Sequence, residues 1–304
     1  MQESRIKRIG LVISGDNMPA GEGDSINGPC CIEVPHWCVP RLGSYYLYFA
    51  DHQGSHIKLA FSNQLHGPWR IHKGGVLNLS HFRDAYDHVA SPDIYIDHET
   101  RKIRLYFHAR SRRKSRQQWT YAAVSDDGIN FDDLYDLPLA PFYLRVFHKH
   151  GYFYGMSKGG NLWRSEDGLS PFEKGHNPFR PDLSDELWHN DPGSIRHVAL
   201  NVVGDLLEVY YSRIGDAPER ILTSRIGIGD PDWKQWRSDA DEEVIRPVEE
   251  YEGGKLPVIP SESGPALSGE NALRDPYILN SSGKEYLFYT VRGEKGIALC
   301  ELVK

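Results

Sequence analysis

The sequence predicts an all-β protein, a five-bladed β-propeller whose ring is closed by an N-terminal strand. Three observations carry that expectation. The composition is rich in 17 Tyr, 7 Trp, 29 Gly and 19 Pro against only 3 Met in 304 residues, which favours short strands and tight turns over helices. An aromatic, strand-like run recurs five times: YYLYFA at 45–50, IRLYFH at 103–108, YFYGM at 152–156, LLEVYYS at 206–212 and EYLFYTV at 285–291. Four of these runs are followed by a second strand that ends in serine, then by a turn, then by an aromatic residue. The sets are Ser62 with Trp69, Ser125 with Phe131, Ser165 with Phe172, and Ser224 with Trp233. A serine or aspartate at such a turn caps backbone amides, and the aromatic is then free to pack between sheets.

Each element of a blade can be read in order. Upstream of each aromatic run lies one more strand candidate: GPCCIEVP, SPDIYID, YLRVFH, IRHVALNVV and RDPYILN. Each unit therefore has three or four antiparallel strands at a propeller-blade period. The last unit is short, and the segment from Arg5 to Ile13 is placed to supply its missing outer strand. A β-sandwich is the rival all-β architecture, but it does not call for so regular a turn motif. The stretch 230–274, rich in Pro, Glu and Gly, reads as one extended loop between blades. No linker interrupts the chain, so residues 1–304 read as a single domain.

Charge and cysteine content narrow the function. With Lys+Arg 35 against Asp+Glu 42, the net charge is −7 and the isoelectric point is about 6.1. This balance argues against nucleic acid or an anionic membrane as the main partner. No apolar run approaches the roughly 18 residues of a membrane span, and the N-terminal segment lacks a secretory pattern, so a cytoplasmic location is expected. Cys30, Cys31, Cys38 and Cys300 have no ligand spacing and read as reduced, buried thiols. No cofactor is expected, although a central ion in the propeller channel remains open.

Propeller geometry sorts the polar residues. The starts of the innermost strands and the hairpins between second and third strands should meet on one face. The first group is Asn27-Gly28-Pro29, Asp87-His88 with Ser91-Pro92-Asp93, Asp191 with Arg196-His197, and Arg274-Asp275-Pro276. The second is Asp51-His52, His108 with Arg110, Asp216 with Glu219, and Arg292 with Glu294. One cleft then gathers carboxylates, histidines and arginines.

On these residues the chain resembles the five-bladed propeller glycoside hydrolases, the group of families 43, 62, 32, 68, 117 and 130. Ser91-Pro92-Asp93-Ile94 is similar to that group's Ala-Pro-Asp strand. The Arg274-Asp275-Pro276 strand start, the Tyr45–Tyr48 run and the turn Gly67-Pro68-Trp69 are similar too. Where family 43 has Asp-Pro in the first blade, this chain has Asn27-Gly28-Pro29, which leaves Glu33 or Asp51 for that place. The resemblance implies cleavage of a glycosidic bond by a carboxylate acid and base, one protonated and one ionised. The candidate catalytic residues are Asp93, Asp275, Asp216, Glu219 and Asp51. The candidate substrate contacts are His52, His88, Arg196, His197, Arg274, Glu252 and Arg110, with Trp37 and Trp188 placed to stack on sugar faces. The expected enzyme inverts and acts on chain ends of an oligosaccharide or glycoside. A phosphorylase or transferase on the same propeller, and a catalytically silent carbohydrate-binding propeller, are the alternatives. The basic run 110–116 reads as a solvated hairpin tip or as a rim that attracts an anionic sugar.

Overall fold

The computed structural model describes residues 6–19, 22–181 and 190–303. Strand β1 (Ile6–Ser14) is followed by blade one: β2 (Asn27–Glu33), β3 (Tyr45–Ala50), β4 (His56–Ser62) and β5 (Arg70–Ile71), with β6 (Leu77–Asn78) also paired to β4. Blade two is β7 (Ala85–Asp97), β8 (Lys102–Ser111), β9 (Gln118–Ser125) and β10 (Asp133–Pro141). Blade three is β11 (Arg145–Lys149), β12 (Tyr152–Met156), β13 (Leu162–Ser165) and β14 (Glu173–Lys174). Blade four is β15 (Ile195–Val203), β16 (Leu206–Arg213), β17 (Ile221–Gly227) and β18 (Glu242–Ile245). Blade five is β19 (Arg274–Ser281), β20 (Lys284–Thr290) and β21 (Gly296–Leu302), completed by β1.

The ring closes as the sequence predicts, with Ile6 opposite Leu302 and Ser14 opposite Gly296. Arg5 lies outside the described residues. The stretch 230–274 is not loop throughout, because Glu242–Ile245 forms the outer strand of blade four on Ile221–Thr223. Its Pro- and Glu-rich flanks hide a strand of only four residues.

The apolar core is five wedges, one between each pair of neighbouring blades. Successive side chains of a strand point to opposite faces, so Tyr46 and Tyr48 fill the wedge toward blade two while Leu47 and Phe49 fill the wedge toward blade five. This is why the aromatic runs show no polar alternation: both faces are buried. Each such side chain contributes about 1.5–3 kcal/mol. The repeated turn also latches the blades. Ser125 Oγ and Asp127 Oδ1 accept the amides of Gly128, Ile129 and Asn130, and the Gly128 carbonyl accepts the Tyr48 hydroxyl of blade one at 2.8 Å. Blade three repeats this with Ser165, Asp167 and Gly168, whose carbonyl accepts from Tyr106 at 3.0 Å. Gly128, at φ 74°, has no room for a Cβ, which would lie 2.7 Å from that hydroxyl.

At the axis, Arg145 of β11 touches all four other blades. Its guanidinium donates to the carbonyls of Pro29 (3.3 Å), Pro92 (2.5 Å) and Val198 (3.1 Å) and lies over the Tyr277 ring at 5.4 Å. Asp93 supplies its counter-charge at 3.2 Å. The positive charge of the central channel is thus a side chain of the protein.

Candidate functional site

The innermost strands are bulged where they begin. Pairing registers shift between Asn27 and Cys30, Ala90 and Asp93, Ile195 and Val198, and Arg274 and Tyr277. Gly28, Ser91, Tyr143 and Asp275 have positive φ of 60°, 49°, 61° and 48°. Three of these precede proline, which cannot donate to the ladder and marks such a bulge. The strain is repeated around the ring at one face, where functional sites tend to store it. The bulges bring Asn27, Ser91, Arg196 and His197, and the left-handed turn before β11 brings Tyr143, to line a cavity of about 250 Å3. The second-to-third hairpins add His52, Gln53, Arg110, Lys158 and Glu294, and the long loop adds Ser263 and Gly264. All five blades reach this pocket.

Of the expected contacts, His52, His88, Arg110, Arg196 and His197 line the pocket. Arg274 is buried behind it, its guanidinium divided among Glu219 (2.8 Å), Glu270 and Glu294 (3.7 Å). Glu252 is fully buried and does not line the pocket. It accepts from Arg8 (2.8 Å), Tyr289 (2.8 Å) and the amides of Val248 and Glu249, which ties the long loop to the closing strand. Trp37 packs on the wedge between blades one and two, and Trp188 lies outside the described residues.

None of the five carboxylates expected to be catalytic lines the pocket. Asp93 sits deeper along the axis, accepting from Arg145 and the Val146 amide. Glu219 lies fully buried beneath Arg196. It accepts from Arg196 (2.8 and 3.2 Å), Arg274 (2.8 Å) and Ser212 (2.7 Å). Burial alone would raise its pKa, but Arg274 and Arg196 outweigh burial and hold it below the ordinary value. Asp216 faces a separate hollow in blade four, near Arg220 at 3.3 Å. Asp51 pairs with Lys58 at 3.1 Å. Glu33, at the far end of β2, accepts from Ser281. Asp275 is buried one layer below the pocket, where it accepts the Gly28 amide and pairs with the His197 ring.

The carboxylates that do line the pocket, among the described residues, are Asp87 and Glu294. Both belong to the groups that propeller geometry brings to this face, although neither was singled out from the sequence. Glu294 is buried, with Ser25 Oγ at 3.1 Å and His52 Nδ1 at 3.4 Å. Asp87, at φ 78°, is half exposed beside Arg110 (3.4 Å) and His88 (3.6 Å).

Between them runs a ladder of rings. His88 meets His108 edge-on at 5.4 Å, His108 meets Tyr143 at 4.6 Å, and Tyr143 lies 3.8 Å from His197. Burial lowers the pKa of all three histidines and takes His108 well below its ordinary value, with His88, His197, His52 and Lys158 adding to the shift. These imidazoles are neutral at pH 7 and each offers one donor and one acceptor. His108 Nδ1, His197 Nε2 and Gln118 Oε1 are buried without a hydrogen-bond partner among the described residues. Buried polar atoms are normally satisfied, so this wall offers donors and acceptors that water or a polar ligand can complete. No group of three or more His, Cys, Asp or Glu among the described residues is arranged to hold a metal ion.

The fold is a five-bladed β-propeller of the kind found in family-43 glycoside hydrolases. The family-43 enzyme from Xanthomonas citri complexed with xylose matches over 97% of this chain and 89% of its own, with a TM-score of 0.60 at 12% identity. An α-L-arabinofuranosidase from Lactobacillus brevis matches over 95% and 94%, with a TM-score of 0.60 at 12% identity. The β-xylosidase/α-arabinofuranosidase CoXyl43 from a compost microbial metagenome, in complex with xylotriose, matches over 98% and 94%, with a TM-score of 0.59 at 15% identity. At such identities the likeness is one of fold. No family model matches the sequence. The chain belongs to the same family as an uncharacterized protein of Acanthamoeba polyphaga mimivirus, 38% identical over 300 residues that cover 92% of this chain and 84% of the viral one.

Proposed function

We propose that the protein is a glycoside hydrolase that releases one terminal sugar unit, with Asp87 and Glu294 as its working carboxylates. The observation that carries this reading is the pocket itself. At about 250 Å3 it falls below the usual range for drug-sized ligands, which suits a single sugar ring and not a bound chain. Its wall carries unsatisfied nitrogen and oxygen atoms, the groups that sugar hydroxyls complete. The fold it shares with xylose- and xylotriose-bound enzymes supports a carbohydrate ligand. Two carboxyl groups at one sugar can divide the work of protonating the leaving oxygen and activating water. Asp275 acts as a positioning residue: it fixes the His197 ring so that Nε2 meets the substrate, the orienting role a carboxylate plays behind an imidazole.

The test is a screen of aryl glycosides and oligosaccharides, with the product anomer followed by NMR. Turnover of at least one glycoside from its non-reducing end, with the anomer inverted, is expected. Glu294→Gln should lower kcat about 10²-fold or more with unchanged folding. A protein that binds sugars without turning any over is instead a carbohydrate-binding propeller.

A further inference from the structure

Lys158 is the one pocket-lining cation with no carboxylate within 4 Å among the described residues. Arg110 has Asp87 at 3.4 Å, and Arg196 has Glu219 at 2.8 Å. Lys158 lies in the hairpin between β12 and β13, 5% exposed, its ammonium over the Phe142 and Tyr143 rings at 5.5 and 5.7 Å. Its Nζ donates to Asn190 Oδ1 at 2.9 Å, and Ser263 Oγ donates to the same oxygen at 2.8 Å. A buried ammonium has three donors and is costly to leave without a counter-charge. Here it faces the pocket beside a second cation, Arg196.

We propose that Lys158 receives an oxyanion in the ligand complex, a carboxylate or phosphate group bound on the pocket side of the ammonium by the donors that Asn190 Oδ1 leaves free. This deepens the glycosidase reading and rests on it for the sugar that carries the group. The basic run that first suggested an anionic ligand contributes only Arg110 to the pocket. Arg112 lies on the Tyr86 ring at 4.7 Å, Arg113 is 3.8 Å from Asp84, and Lys114 lies over Trp119 at 4.9 Å. Burial and then Arg196 push the Lys158 pKa down to about 8, because both disfavour the charged ammonium.

The oxyanion has two chemical sources: a uronate carboxylate on the substrate, or inorganic phosphate as an acceptor in place of water. Calorimetric titration of the whole protein with glucuronate, galacturonate, xylose, glucose and inorganic phosphate separates them. A hydrogen bond to a charged group corresponds to about 10- to 100-fold in affinity. A uronate source predicts that one uronate binds at least about tenfold more tightly than its neutral sugar. That preference, read as the ratio of uronate to neutral-sugar affinity, should vanish in Lys158→Met and return in part in Lys158→Arg, with thermal unfolding intact. A phosphate source predicts the same pattern for phosphate instead. Neutral sugars binding alone, or an anion preference that survives in Lys158→Met, overturns the oxyanion proposal and leaves the glycosidase reading standing. Phosphate binding through Lys158 without any sugar binding does the reverse. Binding of none of the five overturns both.

Discussion

The floor and the wall of the cleft hold the same kinds of side chain and differ in what those side chains have left to give. On the floor, Asp93 is occupied by Arg145 and a backbone amide, and Glu219 by two arginines and a serine. On the wall, His108, His197 and Gln118 keep buried atoms without partners, and Lys158 has Asn190 but no carboxylate within 4 Å among the described residues. A carboxylate whose lone pairs are consumed by guanidinium and amide donors holds the ring together. In the proposed reading, chemistry falls to Asp87 and Glu294 because they line the pocket, and not because they lack partners, since Glu294 has Ser25, His52 and Arg274 near it.

The largest effect that would sharpen this contrast belongs to the floor. Arg145→Met strands Asp93 in the channel without its partner and frees three carbonyls, so a loss of about 3–5 kcal/mol is expected in urea unfolding. A loss below 1 kcal/mol would mean that the axis is held by the blades alone. Glu219→Gln should follow at about 1.5–3 kcal/mol, since the amide leaves two buried guanidinium groups short of charge. Because the folded-state pKa of Glu219 lies below its ordinary value, its contribution is complete above that value and is lost as pH falls through the folded one. Acid unfolding should accordingly be flatter in Glu219→Gln than in the wild type.

Effects on the wall should be felt in binding more than in folding. Anion affinity should decline as pH rises through about 8, where Lys158 loses its proton. The charged groups that set this value are Arg196 and, behind it, Glu219. An affinity unchanged from pH 7 to 9.5 would remove Lys158 from the site. The smallest effect is predicted for the basic hairpin. Replacing Arg112, Arg113 and Lys114 by Ser should change stability by no more than about 0.5 kcal/mol per site, with kcat/KM within about twofold, as for exposed charges outside a site.

How much of this could be read in the sequence follows from what each feature depends on. The five blades are local: aromatic runs buried on both faces, and Ser-Asp-Gly turns that cap themselves, write their signal into adjacent residues. The same holds for the convergence of strand starts and hairpins on one face, which brought His52, His88, Arg110, Arg196 and His197 together as expected. Which carboxylates reach the pocket was not local. The bulge at Ala90-Ser91-Pro92 decides that Ser91 lines the cavity while Asp93 lies deeper, beside an arginine 52 residues away. A one-residue shift reverses the face of every side chain beyond it. Glu252 illustrates a second blind spot, because a glutamate in a long loop gives no sign that it will be buried against β1. Lys158 was overlooked, although its hairpin is the blade-three counterpart of those carrying His52 and Arg110, and that equivalence was the available signal.

The division between floor and wall can be measured directly by making Asp87→Asn, Glu294→Gln, Asp93→Asn and Glu219→Gln singly. Each variant is compared in kcat on one confirmed glycoside with its own unfolding free energy. The account predicts that the two wall variants lose about 10²-fold or more in kcat at near wild-type stability. The two floor variants should lose stability first and retain most of their turnover wherever they remain folded. Wild-type kcat in both wall variants, alongside a stable but inactive Asp93→Asn or Glu219→Gln, would contradict it.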